Sequence, residues 1–442
     1  MKRLLGEAGF FAYLDALNQP YTRALRINLL LRPDGTPPCP IEGLGAPVPW
    51  AKGAYFVEGD ARPGLSPLHE GGLFYMQEPS ALTAVTALDP QPGERVLDLC
   101  AAPGGKSTQI AALMAGRGLL CCNEPIPSRA QTLSRNIERM GVRNAVVLSA
   151  MPDALAPRFP AFFDRILVDA PCSGEGMFRR QPEARDEWDA DAPRRCADRQ
   201  MEILAQAAKM LRPGGTMVYS TCTFNDTENE GVLKRFLALH PEFSLVPFAL
   251  PGLPEAKDGY LHLYPHEMRG EGHFVSRLKK ADGADEADAP VQAAPQRKAP
   301  ARAAAKGKAP APIALPDVFS DAFAPERLYT AGDALWMLPE GISIERLSGL
   351  RVLRTGLLLA HAEGKRSEPD HALAMALRPE EAARTASLTQ TQALAYQAGE
   401  TLSLGDLPGG YTLLCCEGVS LGWGKQAGGL MKNHYPKGLR RR

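Results

Sequence analysis

Strand-like and helix-like stretches alternate regularly between residues 95 and 221, and this alternation limits the possible folds more than any other feature. Apolar, β-branched runs predict five strands, at 95–99, 118–124, 146–148, 164–169 and 216–221. Helices are predicted at 107–115, at 128–140 with Ser128 as the N-cap, and at 196–211 before an Arg-Pro-Gly-Gly turn. This pattern predicts an α/β fold with a Rossmann-like, doubly wound parallel sheet, whose ligands bind at the carboxyl ends of the strands.

The chain is too long for one ordinary domain, since 442 residues suggest two or three. Residues 281–313 consist almost wholly of Ala, Pro, Lys, Arg, Asp and Gly, a composition that predicts a linker. This linker separates residues 1–280 from residues 314–442.

Composition excludes several classes of protein. Fifty basic and fifty acidic residues balance, so any surface that binds nucleic acid must be local, and residues 432–442 are the basic candidate. No run of about 18 apolar residues exists and charge interrupts the first residues, so no membrane span or signal peptide is predicted. The nine cysteines include no C-x-x-C pair, which argues against a zinc ribbon or a disulfide scaffold. These features predict a reduced cytoplasmic protein without a structural metal.

A glycine-rich turn at residues 100–106 follows the first predicted strand. Paired glycines let the backbone approach a ligand closely, and the start of the following helix offers free amides. Glu124 ends the second predicted strand, 19 residues after Gly105, where a carboxylate can hold ribose hydroxyls. The turn and the acid together predict a cofactor site.

The same turn permits a second interpretation as a phosphate-binding loop. The run from Cys100 to Ser107 differs from a Walker loop by a cysteine in place of the first glycine, and Asp169 could hold magnesium. However, Pro103 removes an amide that should face phosphate, and a triphosphatase would leave two strand-end cysteines without a role. A nucleotide triphosphatase therefore remains the alternative.

Those two cysteines, Cys172 and Cys222, follow the fourth and fifth predicted strands. Carbon 5 of cytosine is a poor nucleophile until a thiolate adds at carbon 6, and a base must later remove the proton from carbon 5. Both cysteines could instead be small buried apolar residues. In Asp169-Ala-Pro-Cys172 a thiol occupies the place where an aromatic ring would suit methylation of an exocyclic amine. The residues therefore favour carbon-5 chemistry, without deciding which thiol attacks.

Three segments closely resemble the Nop/Sun family of RNA cytosine-5 methyltransferases, and within it the bacterial ribosomal RNA enzymes of the RsmF (YebU) type. They are residues 97–108 (LDLCAAPGGKST), 164–178 (DRILVDAPCSGEGMF) and 212–223 (RPGGTMVYSTCT). Residues 26–28 and 75–80 resemble the N-terminal elements of the family, and residues 422–440 resemble the end of its PUA-like RNA-binding domain.

The resemblance implies a methyltransferase fold dependent on S-adenosylmethionine, with 81–280 as the catalytic domain. It also implies an N-terminal RNA-recognition region at 1–80 and a smaller α+β, RNA-binding part at 314–442 that ends in the PUA-like domain. Cys222 is then the nucleophile and Cys172 assists product release, and Asp169 and Lys106 complete the catalytic set. The residues implied to hold the cofactor are Cys100, Ala101, Ala102, Pro103, Gly104, Gly105, Lys106, Glu124, Arg129, Ser149 and Asp169.

One position departs from the family pattern. After the third strand, near the adenine, the family usually has Asp or Asn, whereas this chain has Ser149, which would be a weaker acceptor. The implied partner is structured RNA, either ribosomal RNA or a ribosomal subunit, bound by a monomer with no metal and no membrane. Arg179 and Arg180 could hold its phosphates. A catalytically silent RNA-binding assembly factor is a further alternative, disfavoured because both thiols, Glu124 and Asp169 are present.

Overall fold

The computed structural model describes residues 1–180, 183–186, 188–283, 313, 317–318, 325–363 and 366–440. These residues form four β-sheets, one in the N-terminal region, one large central sheet and two in the C-terminal part. Most of the predicted linker, 284–312, lies outside the described residues. Among the residues described, no helix is long and apolar enough to cross a membrane.

The N-terminal region is a helix followed by an antiparallel sheet of order β2-β3-β1-β4. Alternation along β1 sends side chains to two different neighbours, because successive residues of a strand point to opposite faces. Leu25 and Ile27 pack toward the C-terminal part, whereas Ala24 and Arg26 face the central domain. The elements are α1 (Lys2–Leu17), β1 (Arg23–Ile27), β2 (Leu44–Pro47), β3 (Ala54–Val57), α2 (Pro67–Glu70) and β4 (Phe74–Gln77).

The central sheet has the order β10-β12-β9-β8-β5-β6-β7-β15, with β11 paired to β12. Five neighbouring strands, β9, β8, β5, β6 and β7, are parallel, and β12 joins them antiparallel to β9. The elements of this domain are α3 (Thr83–Leu88), β5 (Arg95–Asp98), α4 (Gly105–Leu113), β6 (Leu119–Asn123), α5 (Pro127–Arg139), β7 (Ala145–Leu148), α6 (Pro152–Leu155), β8 (Phe163–Asp169), α7 (Glu183–Asp186), α8 (Ala192–Met210), β9 (Leu211–Thr221), α9 (Glu230–Leu239), β10 (Phe243–Leu245), β11 (Tyr260–Leu263) and β12 (His273–Lys280).

The C-terminal part contains two four-stranded sheets, β13-β14-β16-β17 and β18-β19-β20-β21. Its elements are β13 (Leu328–Ala331), β14 (Ala334–Met337), α10 (Ile344–Leu347), β15 (Val352–Arg354), β16 (Leu357–Glu363), β17 (Arg366–Pro369), α11 (His371–Ala376), β18 (Thr385–Ser387), α12 (Gln390–Ala398), β19 (Gly410–Cys416), β20 (Val419–Ala427) and β21 (Leu430–Asn433). Short 3-10 helices lie at Pro63–Leu65, Ser80–Leu82, Ala156–Arg158, Glu175–Met177, Pro325–Arg327, Pro379–Glu381 and Lys437–Leu439.

The C-terminal part also contributes directly to the central domain. Its strand β15 pairs antiparallel with β7 and so becomes an edge of the central sheet. Arg143 of the central domain donates two hydrogen bonds to the carbonyl of Ala376 and pairs with Glu381. A second core, shared with the N-terminal sheet, packs Leu25 and Ile27 together with side chains such as Tyr396. The two parts are thus joined by backbone pairing, ion pairs and a common apolar core.

The predicted fold class is confirmed, with three local corrections. Ser128 is not the N-cap of α5, because that helix begins one residue earlier, at Pro127, and Ile126 precedes it without a side-chain cap. Helix α8 begins at Ala192, before the predicted start at residue 196. The Arg-Pro-Gly-Gly turn lies inside β9, which starts at Leu211, and its irregularity appears as a register shift against β8. These errors arise because tertiary pairing extends elements across local turn signals.

Candidate active site

The predicted site residues meet at the carboxyl ends of β5, β6, β7, β8 and β9. The chain runs from β5 outward to β6 and β7, and then returns to β8 on the other side of β5. Neighbouring strands whose connections leave in opposite directions open a crevice at their carboxyl ends. The glycine turn follows β5, and the segment from Asp169 to Cys172 follows β8, so the two flank this crevice.

The glycine turn is held from behind by helix α5. Arg129 donates to the carbonyl of Ala102 at 3.2 Å, and the Asn136 amide donates to the carbonyl of Pro103 at 2.8 Å. Gly104 has a φ of 112°, and a Cβ there would lie 3.2 Å from Leu133, so a glycine is required. Helix α4 starts at the next residue, and its first amides are free of intrahelical bonds.

Two predicted cofactor residues lie beside this turn. Glu124 follows β6, its side chain is 3% exposed, and it accepts the amide of Ile126 at 2.9 Å. Arg129 lies 3.4 Å from the other carboxylate oxygen of Glu124. Ser149 is buried after β7, where its hydroxyl donates to the carbonyl of Pro125 at 3.3 Å and its amide donates to Arg351 of the C-terminal part. With its proton used in this way, the Ser149 oxygen can serve a ligand only as an acceptor.

Asp169 occupies the centre of the crevice and is ionised. Lys106 lies 2.7 Å from one carboxylate oxygen, and Ser220 donates to the other at 2.8 Å. His273, at the start of β12, lies 3.5 Å from that second oxygen. Burial opposes ionisation of Asp169, but Lys106 and His273 hold its pKa well below the usual range. Burial likewise opposes the charge of Lys106, yet Asp169 raises the pKa of Lys106.

The two predicted catalytic cysteines are in contact. Their Sγ atoms lie 3.1 Å apart, and both side chains are half-buried. The hydrogen bond with Cys222, together with burial, raises the pKa of Cys172 well above that of an ordinary thiol. Cys172 therefore stays protonated and can donate its thiol hydrogen to the sulfur of Cys222.

Asp98 and Cys100 flank the start of the turn, and burial raises the pKa of both side chains. Asp98 is fully buried at the end of β5, where Ser107 donates to it at 2.6 Å. Burial raises the pKa of Asp98 to about 7. Burial also raises the pKa of Cys100, the first residue of the turn, above that of an ordinary thiol. Cys100 is thus no nucleophile, and the cofactor-side Ala101 is packed in the core, with its amide bonded to the carbonyl of Asn123.

Sequence reasoning missed several residues of this site. His273 lies outside the segments that resemble the family, whereas Asp98 and Ser220 lie inside residues 97–108 and 212–223 but were assigned no role. It also misassigned Arg179, whose side chain is 8% exposed and pairs with Glu271 at 2.6 Å. Arg179 further donates to the carbonyl of Ala16. The charge of Arg179 is therefore neutralised by a buried ion pair. Of these two arginines, Arg180 is the exposed one that a ligand could reach. Within the part of the chain that the structure describes, no group of His, Cys, Asp and Glu could hold a metal ion.

Known families match this chain along almost its full length. The description "16S rRNA methyltransferase RsmB/F" matches residues 85–279, and "N-terminal domain of 16S rRNA methyltransferase RsmF" matches residues 1–79. The first C-terminal domain of RsmF rRNA methyltransferase matches residues 316–377, and the RsmF PUA domain matches residues 383–441.

Similar proteins agree with these matches. The ribosomal RNA small subunit methyltransferase F of Erwinia tasmaniensis is 33% identical, over 99% of this chain and 95% of that protein. The protein of the same name from an Enterobacter species is 34% identical, over 97% and 92%. A crystal structure of a methyltransferase homologue from Pyrococcus horikoshii has a TM-score of 0.52 and 29% identity, covering 63% of this chain and 97% of that one. The structure of NSun6 from the same archaeon with SFG, at 22% identity and a TM-score of 0.53, covers 64% and 97% and shows the same fold. With a crevice that combines the glycine turn, an ionised aspartate and paired thiols, and with relatives matched over their whole length, this chain belongs to the RsmB/F family of 16S rRNA methyltransferases.

Proposed function

We propose that this protein methylates carbon 5 of a cytosine in ribosomal RNA, with Cys222 as the nucleophile and Cys172 as the residue that aids product release. The observation that carries the proposal is the contact between the two sulfurs, 3.1 Å apart, at the ends of adjacent parallel strands. An exocyclic-amine methyltransferase has no use for two thiols beside an ionised aspartate, whereas carbon-5 chemistry needs at least one.

The residues around the glycine turn suit S-adenosylmethionine, the donor on which the family depends. Glu124 presents a buried carboxylate to ribose hydroxyls, and the free amides of α4 lie where polar groups of the ligand can be held. When bound, S-adenosylmethionine supplies an electrophilic methyl group. The SFG named with the archaeal structure is an analogue of this donor, which supports the same assignment.

The protein residues around the base have complementary tasks. Cys222 adds to carbon 6 through its sulfur, and the thiol of Cys172 lies 3.1 Å from that sulfur. The Lys106–Asp169 pair offers one donor and one acceptor to the edge of the ring that carries the amine, and its charges are fixed by their mutual contact. Ser220 donates to the carboxylate of Asp169 and holds it in place, and His273 lies 3.5 Å from the same oxygen. This arrangement makes the ring electron-rich at carbon 5. After methyl transfer, a base must remove the proton from carbon 5.

Replacement of each thiol tests the assignment. Cys222→Ala removes the attacking atom, so methylation should stop and no covalent RNA complex should form. Cys172→Ala should still permit attack and methyl transfer but slow elimination, so that a protein–RNA complex persists on a denaturing gel. Cys39→Ala, a half-buried cysteine of the N-terminal region, serves as the matched control. A complex trapped by Cys222→Ala but not by Cys172→Ala would reverse the roles, and full activity of both variants would refute the covalent mechanism.

Bisulfite mapping of ribosomal RNA from cells with and without the protein tests the substrate. A cytosine that loses its methyl group only in the deletion strain would identify the target, whereas an unchanged map would contradict the proposal. We further propose that the PUA-like domain binds the structured RNA, because such domains recognise RNA by shape and phosphate contacts. The monomeric state and cytoplasmic location inferred from the sequence stay predictions.

A further inference from the structure

Two carboxylates connect the loops that carry the catalytic thiols, here called the Cys172 loop (residues 170–177) and the Cys222 loop (residues 222–229). Glu228 belongs to the Cys222 loop but reaches across to the other one. It is completely buried and accepts the amide of Ser173 at 3.0 Å as well as the Ser173 hydroxyl. Ser173 directly follows Cys172, so Glu228 holds the backbone next to the first thiol.

Glu175 makes the reciprocal connection. It belongs to the Cys172 loop and accepts the amide of Phe224 at 3.0 Å and the hydroxyl of Thr223 at 2.8 Å. Thr223 directly follows Cys222. The side-chain amide of Asn225 bridges both acids, at 2.8 Å from Glu228 and 3.4 Å from Glu175. Each loop thus holds the residue that follows the cysteine of the other loop.

A buried platform fixes Glu228 itself. Gln200 of α8 donates to Glu228 at 2.9 Å and to the carbonyl of Pro171 at 3.0 Å, so the residue before Cys172 is held as well. The hydroxyl of Tyr219 lies 2.9 Å from the Gln200 side-chain oxygen and 2.6 Å from the Glu228 carbonyl. Within the described residues, no cation pairs with Glu228, so four neutral donors alone stabilise its buried carboxylate. Burial of a carboxylate without a cation costs free energy. A contact that served only to join the two loops would not require a charged group at this place.

We propose that Glu228 and Glu175 are positioning residues that set the separation of the two thiols and thereby the rate at which the methylated product is released. This inference rests on the proposed cytosine-5 function. During release the proton leaves carbon 5 to a base, its electron pair re-forms the double bond to carbon 6, and the bond from carbon 6 to the Cys222 sulfur breaks. Cys172 must stay beside Cys222 throughout that step, because a displacement of about 1 Å can cost a hundredfold in rate. The charge of Glu228 also helps to keep Cys172 protonated, since it opposes a second negative charge nearby.

Cross-linking measures the thiol separation without any RNA or cofactor. Diamide takes one hydrogen from each thiol, becomes a hydrazine and leaves a disulfide, which peptide mass spectrometry assigns to Cys172 and Cys222. We expect this disulfide to form at least about tenfold more slowly in Glu228→Gln and in Glu175→Gln. In each variant an NH2 group replaces a carboxylate oxygen and faces the hydrogen-bond donors that this oxygen accepted from. Glu242→Gln, a change at an exposed acid that pairs with His240 and lies outside both loops, is the matched control. Equal cross-linking rates in all four proteins would overturn the inference.

Turnover separates positioning from simple structural support. With RNA and S-adenosylmethionine, both Glu228→Gln and Glu175→Gln should accumulate the covalent complex, and their kcat should fall about tenfold or more. The KM for RNA and the affinity for the cofactor should stay near those of the control. Asn225→Ala, which removes the bridge but keeps both acids, should give a smaller change in the same direction if Glu228→Gln fails to fold. A lower melting temperature with unchanged cross-linking and no accumulated complex would show a structural role only. If no protein, including Cys172→Ala, forms a complex, the covalent function fails, while the cross-linking result still decides whether the acids position the thiols.

Discussion

At the scale of single residues, two acids on one sheet edge have pKa values that are shifted in opposite directions. Asp98 and Asp169 end the neighbouring strands β5 and β8. Burial raises the pKa of Asp98 to about 7, against the lowering effect of the hydrogen bond that Ser107 donates. Burial acts on Asp169 as well, but Lys106 and His273 outweigh it and lower its pKa. Among the described residues, the contrast separates a fully buried acid without a paired cation from an acid that pairs with Lys106 in the crevice.

We predict that Asp98→Asn changes stability in a pH-dependent way. The folded-state pKa of about 7 lies above the unfolded value of 3.8, so the contribution of Asp98 is fully present below about pH 4 and is lost as pH rises through 7. Relative to wild type, Asp98→Asn should therefore be more stable at pH 8 than at pH 5 by about 2 kcal/mol. Urea unfolding at both values checks this, with the exposed Asp153→Asn as control. An equal difference at both pH values would contradict the assigned protonation.

We predict that Glu124→Gln weakens S-adenosylmethionine binding about tenfold or more, because a buried charged acceptor for hydroxyls becomes neutral. Titration calorimetry without magnesium measures the affinity, and the exposed Glu42→Gln should bind as wild type does. Magnesium-dependent ATP binding without an S-adenosylmethionine signal would instead support the phosphate-binding interpretation of the turn.

At the scale of elements, the third strand of the site is completed by the C-terminal part. Strand β15 pairs with β7, and the carbonyl of Arg351 accepts the amide of Ser149 at the cofactor edge. Arg354 of β15 pairs with Glu138 of α5, and their side chains are 5% and 25% exposed. Burial raises the pKa of Glu138, and Arg354 opposes that rise. The edge of the cofactor crevice therefore depends on an ion pair between the two parts of the chain.

Loss of the cation from this pair should be costly. Arg354→Met leaves the half-buried carboxylate of Glu138 without this partner, so we expect the free energy of unfolding to fall by about 2 kcal/mol. The double variant Arg354→Met with Glu138→Leu should recover most of that loss, since no unpaired charge remains. Urea unfolding of both variants decides the matter, and a double variant as unstable as the single one would show that packing, rather than charge, holds β15.

At the scale of the whole molecule, the N-terminal sheet is the meeting point of two cores. Leu25 and Ile27 of β1 are fully buried against the C-terminal part, next to Tyr396 and Leu421. On the opposite face of β1, Arg26 is buried and donates to Thr108 of α4 at 2.9 Å. The N-terminal region therefore links the cofactor helix to the predicted RNA-binding part through a single strand.

We predict that residues 1–283 and 317–442, produced as two separate chains in one cell, copurify as a complex that binds S-adenosylmethionine. Residues 1–283 alone should aggregate or melt at a lower temperature, because the apolar face around Leu25 and Ile27 becomes exposed. Size-exclusion chromatography and thermal unfolding measure both outcomes. A soluble 1–283 fragment with the stability of the full chain would show that the shared core contributes little.

Those features of this protein that depend on residues close together in the chain could be predicted from its sequence. The periodicity of residues 95–221 predicted the class of the sheet, and Asp169, Cys172 and Cys222 could be placed at one edge because parallel strands end together. Family motifs then implied roles for each thiol. The contacts between residues that are distant along the chain became known only from the tertiary structure. It placed Arg179 against Glu271 instead of solvent, brought His273 to Asp169, and paired β15 with the edge of the central sheet. No local pattern encodes such partners, since each depends on how separate elements pack.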